Sequence, residues 1–316
     1  MGYIYFDIII FTYLILTVLL SFLFWQKIKL QQGKKIIWQI LIGITIFSGL
    51  VIFYGSFIEP RIIIVKNEYI ELSPDSQNKI TIALITDMHV GPYKKNGFVK
   101  RVANKLINLN PDLIFIDGDH IFGGYKKIDY LKHLAPATNK ISTYAVSGNH
   151  EYNVGKSHQF GQFIEKSAEV AGLFENINVD YLENETRLID VRGNKFWLLG
   201  IDSVWAGLDN MDHALKYTDD QYPKIVLVHN PDIMRTITQK KYPVDLILCG
   251  HTHGGQIRLP FIGSVAPIPT FYGRQYVKGL YEIGDYLLYI TSGLGEAGTR
   301  ARLFNPPEIV LLHIKI

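Results

Sequence analysis

The chain has 316 residues, 48% of them hydrophobic, with 32 basic against 29 acidic side chains for a net charge of +3. That near balance excludes the basic footprint of a nucleic-acid binder. The lone cysteine, Cys249, excludes an intramolecular disulfide and reads as a small core residue at a strand end.

In chain order, two apolar stretches come first, 3–25 and 36–58. Each is roughly 34 Å long as a helix, enough to cross a hydrocarbon core of about 30 Å. No Lys or Arg precedes the first run, and it is longer than a signal-peptide core, so residues 1–58 read as a transmembrane hairpin rather than a cleaved leader. Lys27, Lys29, Lys34 and Lys35 between the runs place that turn in the cytoplasm by the positive-inside rule. The polypeptide beyond residue 58 then lies on the extracytoplasmic side; a cytoplasm-facing domain is the alternative, because Arg61 and Lys66 come just after the second run.

Residues 59–78, with Pro60 and Pro74, read as a stalk or a first strand leading into a domain over 79–316. The pattern then alternates: strand 80–85, helix 98–109, strand 113–116, helix 128–134, strand 143–146, helix 156–171, strands 195–199 and 224–228, a short helix 232–238 and strand 246–249. Strands 276–281, 286–290 and 309–316 close the chain. Such an order predicts helices packed on a sheet, with ligand sites at the carboxyl ends of strands, in one domain of about 240 residues.

Five short runs stand at those strand ends: Asp87-Met-His89, Gly118-Asp119, Gly148-Asn149-His150-Glu151, His229-Asn230 and Gly250-His251-Thr-His253. They supply what a pair of divalent cations needs: imidazole and oxygen ligands and a carboxylate able to touch both ions. If the backbone stays extended, the two-residue spacing turns Asp87 with His89, and His251 with His253, to one side of the sheet. Asp119 is the natural shared ligand, and Asn149 offers a neutral carbonyl oxygen. His133, His158, His213 and His313 read as ordinary polar residues, and His120 matches no ligand position. Pairing the carboxylates as a glycosidase would leave the histidines unexplained.

At these blocks the chain resembles the calcineurin-like metallophosphoesterase family, whose pattern is D-x-H, G-D, G-N-H-[DE], H and G-H-x-H. The resemblance covers roughly residues 79–316 and implies an α/β fold of two packed mixed β-sheets flanked by helices. It further implies that Asp87, His89 and His253 hold one ion, that Asn149, His229 and His251 hold the other, and that Asp119 bridges them. His150 then approaches the scissile phosphate and protonates the leaving oxygen or stabilises charge. Manganese, iron and zinc all suit this donor set. The segment 254–260 and Gly293-Leu294-Gly295 look like a membrane-associated bacterial subgroup, whereas His120-Ile-Phe-Gly123 departs from relatives that carry a second acid there.

The resemblance implies a phosphorylated small-molecule or lipid substrate at a membrane, and no protein partner is inferable. One candidate is the pyrophosphohydrolase step on UDP-2,3-diacylglucosamine in lipid A synthesis, which needs a cytoplasm-facing domain. Another class is a non-catalytic membrane sensor or scaffold that keeps the fold. Arg258 and Arg302 are candidates to grip a substrate phosphate, while Arg274, Arg300, Lys94 and Lys95 read as surface charges. The aromatic stretch with Phe261, Phe271, Tyr272, Tyr276 and Tyr281 reads as loop packing, or as an apolar rim that admits acyl chains.

Overall fold

The two apolar runs fold as helices α1 (Gly2–Leu30) and α2 (Lys35–Phe53), and α2 continues through a π-helical turn at Tyr54–Ile58. In this computed structural model, residues 2–30, 34–73, 79–123, 127–155 and 166–316 are described. The helices are apolar all round and lean on each other through small or polar contacts, such as the Tyr13 hydroxyl donating to Ser48 Oγ at 2.9 Å. Most of their large side chains are exposed, among them Val18, Phe47 and Ile9. Apolar side chains left exposed along two helices of spanning length are consistent with membrane association.

Strands β1 (Ile64–Glu71) and β2 (Lys79–Thr86), helix α3 (Asn96–Leu109) and β3 (Leu113–Asp117) come next. Residues 128–134, expected as an α-helix, form a 3₁₀ segment that leads into the short helix α4 (Ala135–Thr138). Pro136 is the reason: it has no N–H to return to the Lys132 carbonyl, which accepts from Ala135 instead. Then come β4 (Thr143–Val146), α5 (Ser167–Glu175), β5 (Val179–Tyr181), β6 (Glu185–Val191), β7 (Asn194–Gly200), α6 (Met211–Leu215), β8 (Lys224–Leu227), α7 (Ile233–Lys240) and β9 (Leu246–Cys249). Of the helix expected over 156–171, residues 156–165 lie outside the described residues, and so does His158. The small hairpin β10 (Arg258–Leu259) and β11 (Gly263–Ser264) precedes β12 (Gly279–Ile283), β13 (Tyr286–Ile290) and β14 (Glu308–Lys315).

Two six-stranded mixed sheets result, ordered β1-β14-β2-β3-β4-β5 and β12-β13-β9-β8-β7-β6. The last strand, β14, inserts between β1 and β2, parallel to one and antiparallel to the other. A shared core containing Leu84, Phe115, Leu198, Leu227, Leu248 and Leu312 fills the space between the sheets. Helices α3 and α5 cover the outer face of the first sheet, and α6 and α7 that of the second. In the first sheet β2, β3 and β4 run parallel, and in the second β7, β8 and β9 do. Five carboxyl ends therefore deliver the five polar blocks, three from one sheet and two from the other.

Candidate metal centre

Each block starts where its strand runs out, and the glycines show why the approach is tight. Gly118 has φ +51°, and a Cβ there would lie 2.5 Å from Nδ1 of His229. A Cβ on Gly250 would collide with Thr86 Oγ1 and with Asp87 Oδ2. The backbone is not extended, contrary to the expectation from the two-residue spacing. Asp87, His89, Asp119, His251 and His253 all have positive φ, between 43° and 67°. Each such residue costs roughly 1–3 kcal/mol, so the surrounding fold holds these side chains in place against local preference.

Asp87, His89, Asp119, Asn149, His229, His251 and His253 are all at most 5% exposed. Oδ2 of Asp119 lies 3.1 Å from Nε2 of His229, 3.6 Å from Nε2 of His89 and 3.8 Å from Nε2 of His150. Oδ1 of Asp87 lies 3.3 Å from Nε2 of His253, 3.7 Å from that of His229 and 3.8 Å from that of His89. Three groups have ligand atoms close enough to hold one ion: Asp87 with His89 and His253, Asp119 with His229 and His251, and Asp119 with His89 and His150. The Asp119 carboxylate is common to the last two.

The outer contacts aim these atoms inward. Oδ1 of Asp119 accepts the His150 N–H at 2.8 Å, which leaves Oδ2 to the centre. Oδ2 of Asp87 accepts from the Thr86 hydroxyl at 3.0 Å and the His251 N–H at 3.1 Å, while its Oδ1 is buried with no hydrogen-bond partner among the described residues. Nδ1 of His253 turns to the Gly295 carbonyl at 3.2 Å, Nε2 of His251 to the Pro269 carbonyl at 2.8 Å, and Nδ1 of His229 to the Asp117 carbonyl at 3.4 Å. An imidazole that donates to a carbonyl on one side presents a lone pair on the other, which is how metal ligands are usually oriented. Nε2 of His89 and Nε2 of His253 face each other 3.1 Å apart. Facing lone pairs repel unless a cation or a proton lies between them, so the donor set fits a divalent ion.

The electrostatics divide the cluster in two. Burial brings the His251 imidazole down to about 3 and holds His89 and His253 well below the usual range, so all three stay neutral. Burial also lifts the Asp87 carboxyl to about 7. For Asp119 burial works in the same direction, but the neighbouring imidazoles of His229 and then His150 override it and keep this carboxyl well below its ordinary value. Burial would lower His229, but Asp119, Asp87 and Asp117 hold it well above the usual histidine range, so that without a metal His229 keeps a proton among the acids.

Asn149 is buried beside the cluster, its amide donating to the Val154 carbonyl at 2.7 Å, and its side-chain oxygen accepts from Nδ2 of Asn230 at a long 3.4 Å. His150 is half-buried, and its Nδ1 accepts the Gly123 N–H at 2.9 Å. The other predicted residues scatter. His120 donates to the Val146 carbonyl at 2.8 Å and lies edge-on to Phe174, outside the cluster. His313 stacks on Tyr69, and His213 bonds the Asn184 carbonyl. Arg258 lies half-buried on the β10–β11 hairpin, donating to the Gly254 carbonyl at 2.9 Å.

Two expectations are corrected. Arg302 presents no donor to a substrate: it is fully buried, and its guanidinium donates to the carbonyls of Gly295, Ser292 and Asn305 at 2.6–3.1 Å. Lys94 is not a surface charge but is buried, 2.9 Å from Glu296 and bonded to the Pro60 carbonyl.

The sequence motifs assign no role to three neighbours of the cluster, although Glu151 closes one of the motif runs. Asp117 lies behind His229, its carboxylate 3.7 Å from Nδ1, and the signal for it is an acid ending a fully buried strand. Glu151 accepts four backbone N–H groups, from Asp119, Gly148, His120 and Ile121, at 2.8–3.2 Å. Trp205 sets its ring edge-on to His251, with centroids 4.3 Å apart, and nothing in its local sequence marks it.

Comparison with known proteins places the chain in a family. Residues 80–255 match the calcineurin-like phosphoesterase family. The phosphodiesterase YaeI of Escherichia coli is 30% identical over 76% of this chain and 84% of its own length. The uncharacterized metallophosphoesterase YkuE of Bacillus subtilis is 30% identical over 83% of this chain and 89% of its own. A transmembrane protein with metallophosphoesterase domain from Danio rerio is 26% identical over 78% of this chain and 55% of its own.

Proposed function

Since the chain belongs to the calcineurin-like metallophosphoesterase family, a family of metal-dependent phosphoester hydrolases, we propose that it is a membrane-anchored two-metal enzyme acting on a phosphodiester, pyrophosphate or phosphomonoester of a lipid- or envelope-linked substrate. The observation that carries this reading is Oδ2 of Asp119 lying within 3.6 Å of imidazole nitrogens from both halves of the cluster. In this reading Asp87, His89 and His253 would hold one ion and Asn149, His229 and His251 the other, with Asp119 placed to serve both. Manganese, iron or zinc fits the site. Such a pair, when bound, supplies a water nucleophile at neutral pH and clamps the phosphoryl oxygens.

The protein's own part is positioning and proton delivery. Because Nδ1 of His150 accepts the Gly123 N–H, the ring proton resides on Nε2, which faces Asp119. From there it passes to the leaving oxygen, a contribution of about 10²- to 10⁴-fold. Arg258, half-exposed on the hairpin after the last ligand, is the cation nearest in sequence to meet a substrate phosphate. The name of the Escherichia coli relative favours a diester over a monoester.

The test is elemental analysis of the purified full chain together with hydrolysis of a p-nitrophenyl phosphodiester in added Mn²⁺. Two ions per chain and turnover support the reading; a metal-bound but inactive protein supports the sensor or scaffold instead. A reporter fused after residue 316 addresses sidedness. Export agrees with the lysine-rich turn, and a cytoplasmic signal revives the UDP-2,3-diacylglucosamine step.

A further inference from the structure

An apolar cavity of 360 Å³ opens beside the metal centre, and the first apolar helix contributes a side chain to its lining. Its lining includes His253 of the metal centre, the apolar side chains of Ile257, Val265, Ile268 and Pro269, and Phe6 of α1. Its volume is within the range of about 300–1,000 Å³ typical of small-molecule sites, and its mostly apolar walls suit hydrocarbon. Helix α1 is fixed there, not merely nearby. Asp7 accepts from the Tyr93 hydroxyl at 3.1 Å and lies 3.8 Å from Nε of Arg300, and a side chain at Gly298 would touch Phe6 at 3.8 Å.

A second observation concerns the β10–β11 hairpin, whose flanking residues Ile257 and Val265 both line this cavity. At its tip and on its outgoing strand, Phe261 is fully exposed, Ile262 65% and Val265 52%. The hairpin is tied to the end of the second apolar helix: Ile257 bridges to Leu303, and the Arg302 N–H donates to the Gly55 carbonyl at 2.8 Å. The exposed apolar tip therefore lies on the side of the molecule where the apolar helices leave the domain. A surface of this kind is costly in water and favourable in the interfacial layer of a bilayer.

We propose that the cavity receives a hydrocarbon chain of the substrate, so that the enzyme acts on amphiphiles whose phosphoester reaches His253 while the chain runs past Phe6 into the membrane. The proposal rests on the hydrolytic reading above and adds the substrate class. The occupant is an acyl, alkyl or isoprenoid chain drawn from the bilayer, not a second protein.

The experiment uses the full chain in nanodiscs with a series of p-nitrophenyl alkyl phosphates, from methyl to decyl, kept below their micelle concentrations. Wild-type kcat/KM is expected to rise about tenfold or more along the series. Partition into the nanodisc alone would also raise it, so the deciding comparison is Val265→Trp, which fills the cavity from an exposed position. This variant is expected to lose the rise, read as the ratio of its own kcat/KM on the decyl ester to that on the methyl ester, which falls from about tenfold or more to about one. An unchanged chain-length gain in Val265→Trp overturns the proposal but leaves the hydrolytic reading intact; no hydrolysis of any ester by the wild type removes both. Independently, a non-hydrolysable decyl phosphonate with a terminal diazirine is expected to label peptides containing Phe6 or residues 265–269 of the wild type. Labelling confined to other peptides overturns the proposal.

Discussion

Two groups of ionisable side chains are buried in this fold, and they have opposite fates. Around the centre, ligand atoms of Asp87, His89, Asp119, His229 and His253 crowd within 3.1–3.8 Å of one another, and Oδ1 of Asp87 has no hydrogen-bond partner among the described residues. Around Arg302, by contrast, donors and acceptors are consumed. The guanidinium serves three carbonyls, both oxygens of Glu59 accept backbone N–H groups from Phe304 and Asn305, and Oε1 of Glu308 accepts from Thr291 and Ser292. Glu151 belongs with this second group. A buried polar atom without a partner costs free energy that something else must offset, and a cation does so. Convergence of unpartnered ligand atoms on one point, rather than charge or burial alone, separates the centre from the clamps, since Asp117 and His120 also bury atoms unpartnered among the described residues without joining it.

The largest expected effect comes from removing the shared carboxylate. Asp119→Ala is expected to lose both ions and activity by about 10⁴-fold or more, read by elemental analysis and turnover on a p-nitrophenyl diester. Normal metal stoichiometry in that variant would refute its bridging role. His150→Ala breaks the comparison from the other side, since His150 touches the cluster without being needed to build it. Turnover is expected to fall about 10²- to 10⁴-fold with metal content nearly intact; loss of metal would make His150 a ligand.

Glu151→Ala sharpens the contrast, because the carboxylate removed is as buried as Asp119 yet satisfied by four N–H groups. Its loss is expected to show first as instability, about 3–5 kcal/mol in thermal or denaturant unfolding with metal in excess. Arg302→Lys is smaller, about 2–3 kcal/mol, because one ammonium cannot reach three carbonyls in a fixed fork. Its KM is expected to stay unchanged, whereas a rise in KM at normal stability would restore the substrate grip that the sequence suggested.

The difference between the two groups also marks how far the sequence could be read. The ligand types and their order were legible, as were the strands that deliver them, because alternating apolar runs ending in Asp, His and Gly are local signals. The left-handed backbone at Asp87, His89, Asp119, His251 and His253 was not, since the distant residues packed around those side chains impose it. Nor was the burial of Lys94 and Arg302 or the clamp at Glu151. In each case the partner is a backbone group or a carboxylate brought in by the fold, as with Glu296 for Lys94 and Ser292 for Arg302. Satisfaction of a polar group is a property of the tertiary structure, so a residue list carries ligand chemistry better than it carries the distinction between ligand and clamp.

Asp202 stands between the two groups and offers the finest test. It is buried, it accepts the Tyr152 hydroxyl at 2.8–2.9 Å and the Ser203 N–H at 2.6 Å, and no cation is among the groups shifting its titration. Burial lifts its carboxyl from the ordinary 3.8 to about 6, so it is a clamp only partly compensated. Between about 4 and 6 the folded protein binds more protons than the unfolded chain, so this residue's contribution to stability falls as pH rises through that window, and above it the penalty is fully present. Allowing for solvent, the penalty is about 1–2 kcal/mol. Asp202→Asn removes the titration, so unfolding curves of wild type and variant are expected to converge as pH rises from 4 to 6 if the amide fits poorly, or to separate in the variant's favour if it fits well. Either way their difference changes by about 1–2 kcal/mol across the window and is flat above it. A difference that does not change with pH would mean that the Tyr152 and Ser203 bonds satisfy the carboxylate fully, and would move Asp202 into the company of Glu151.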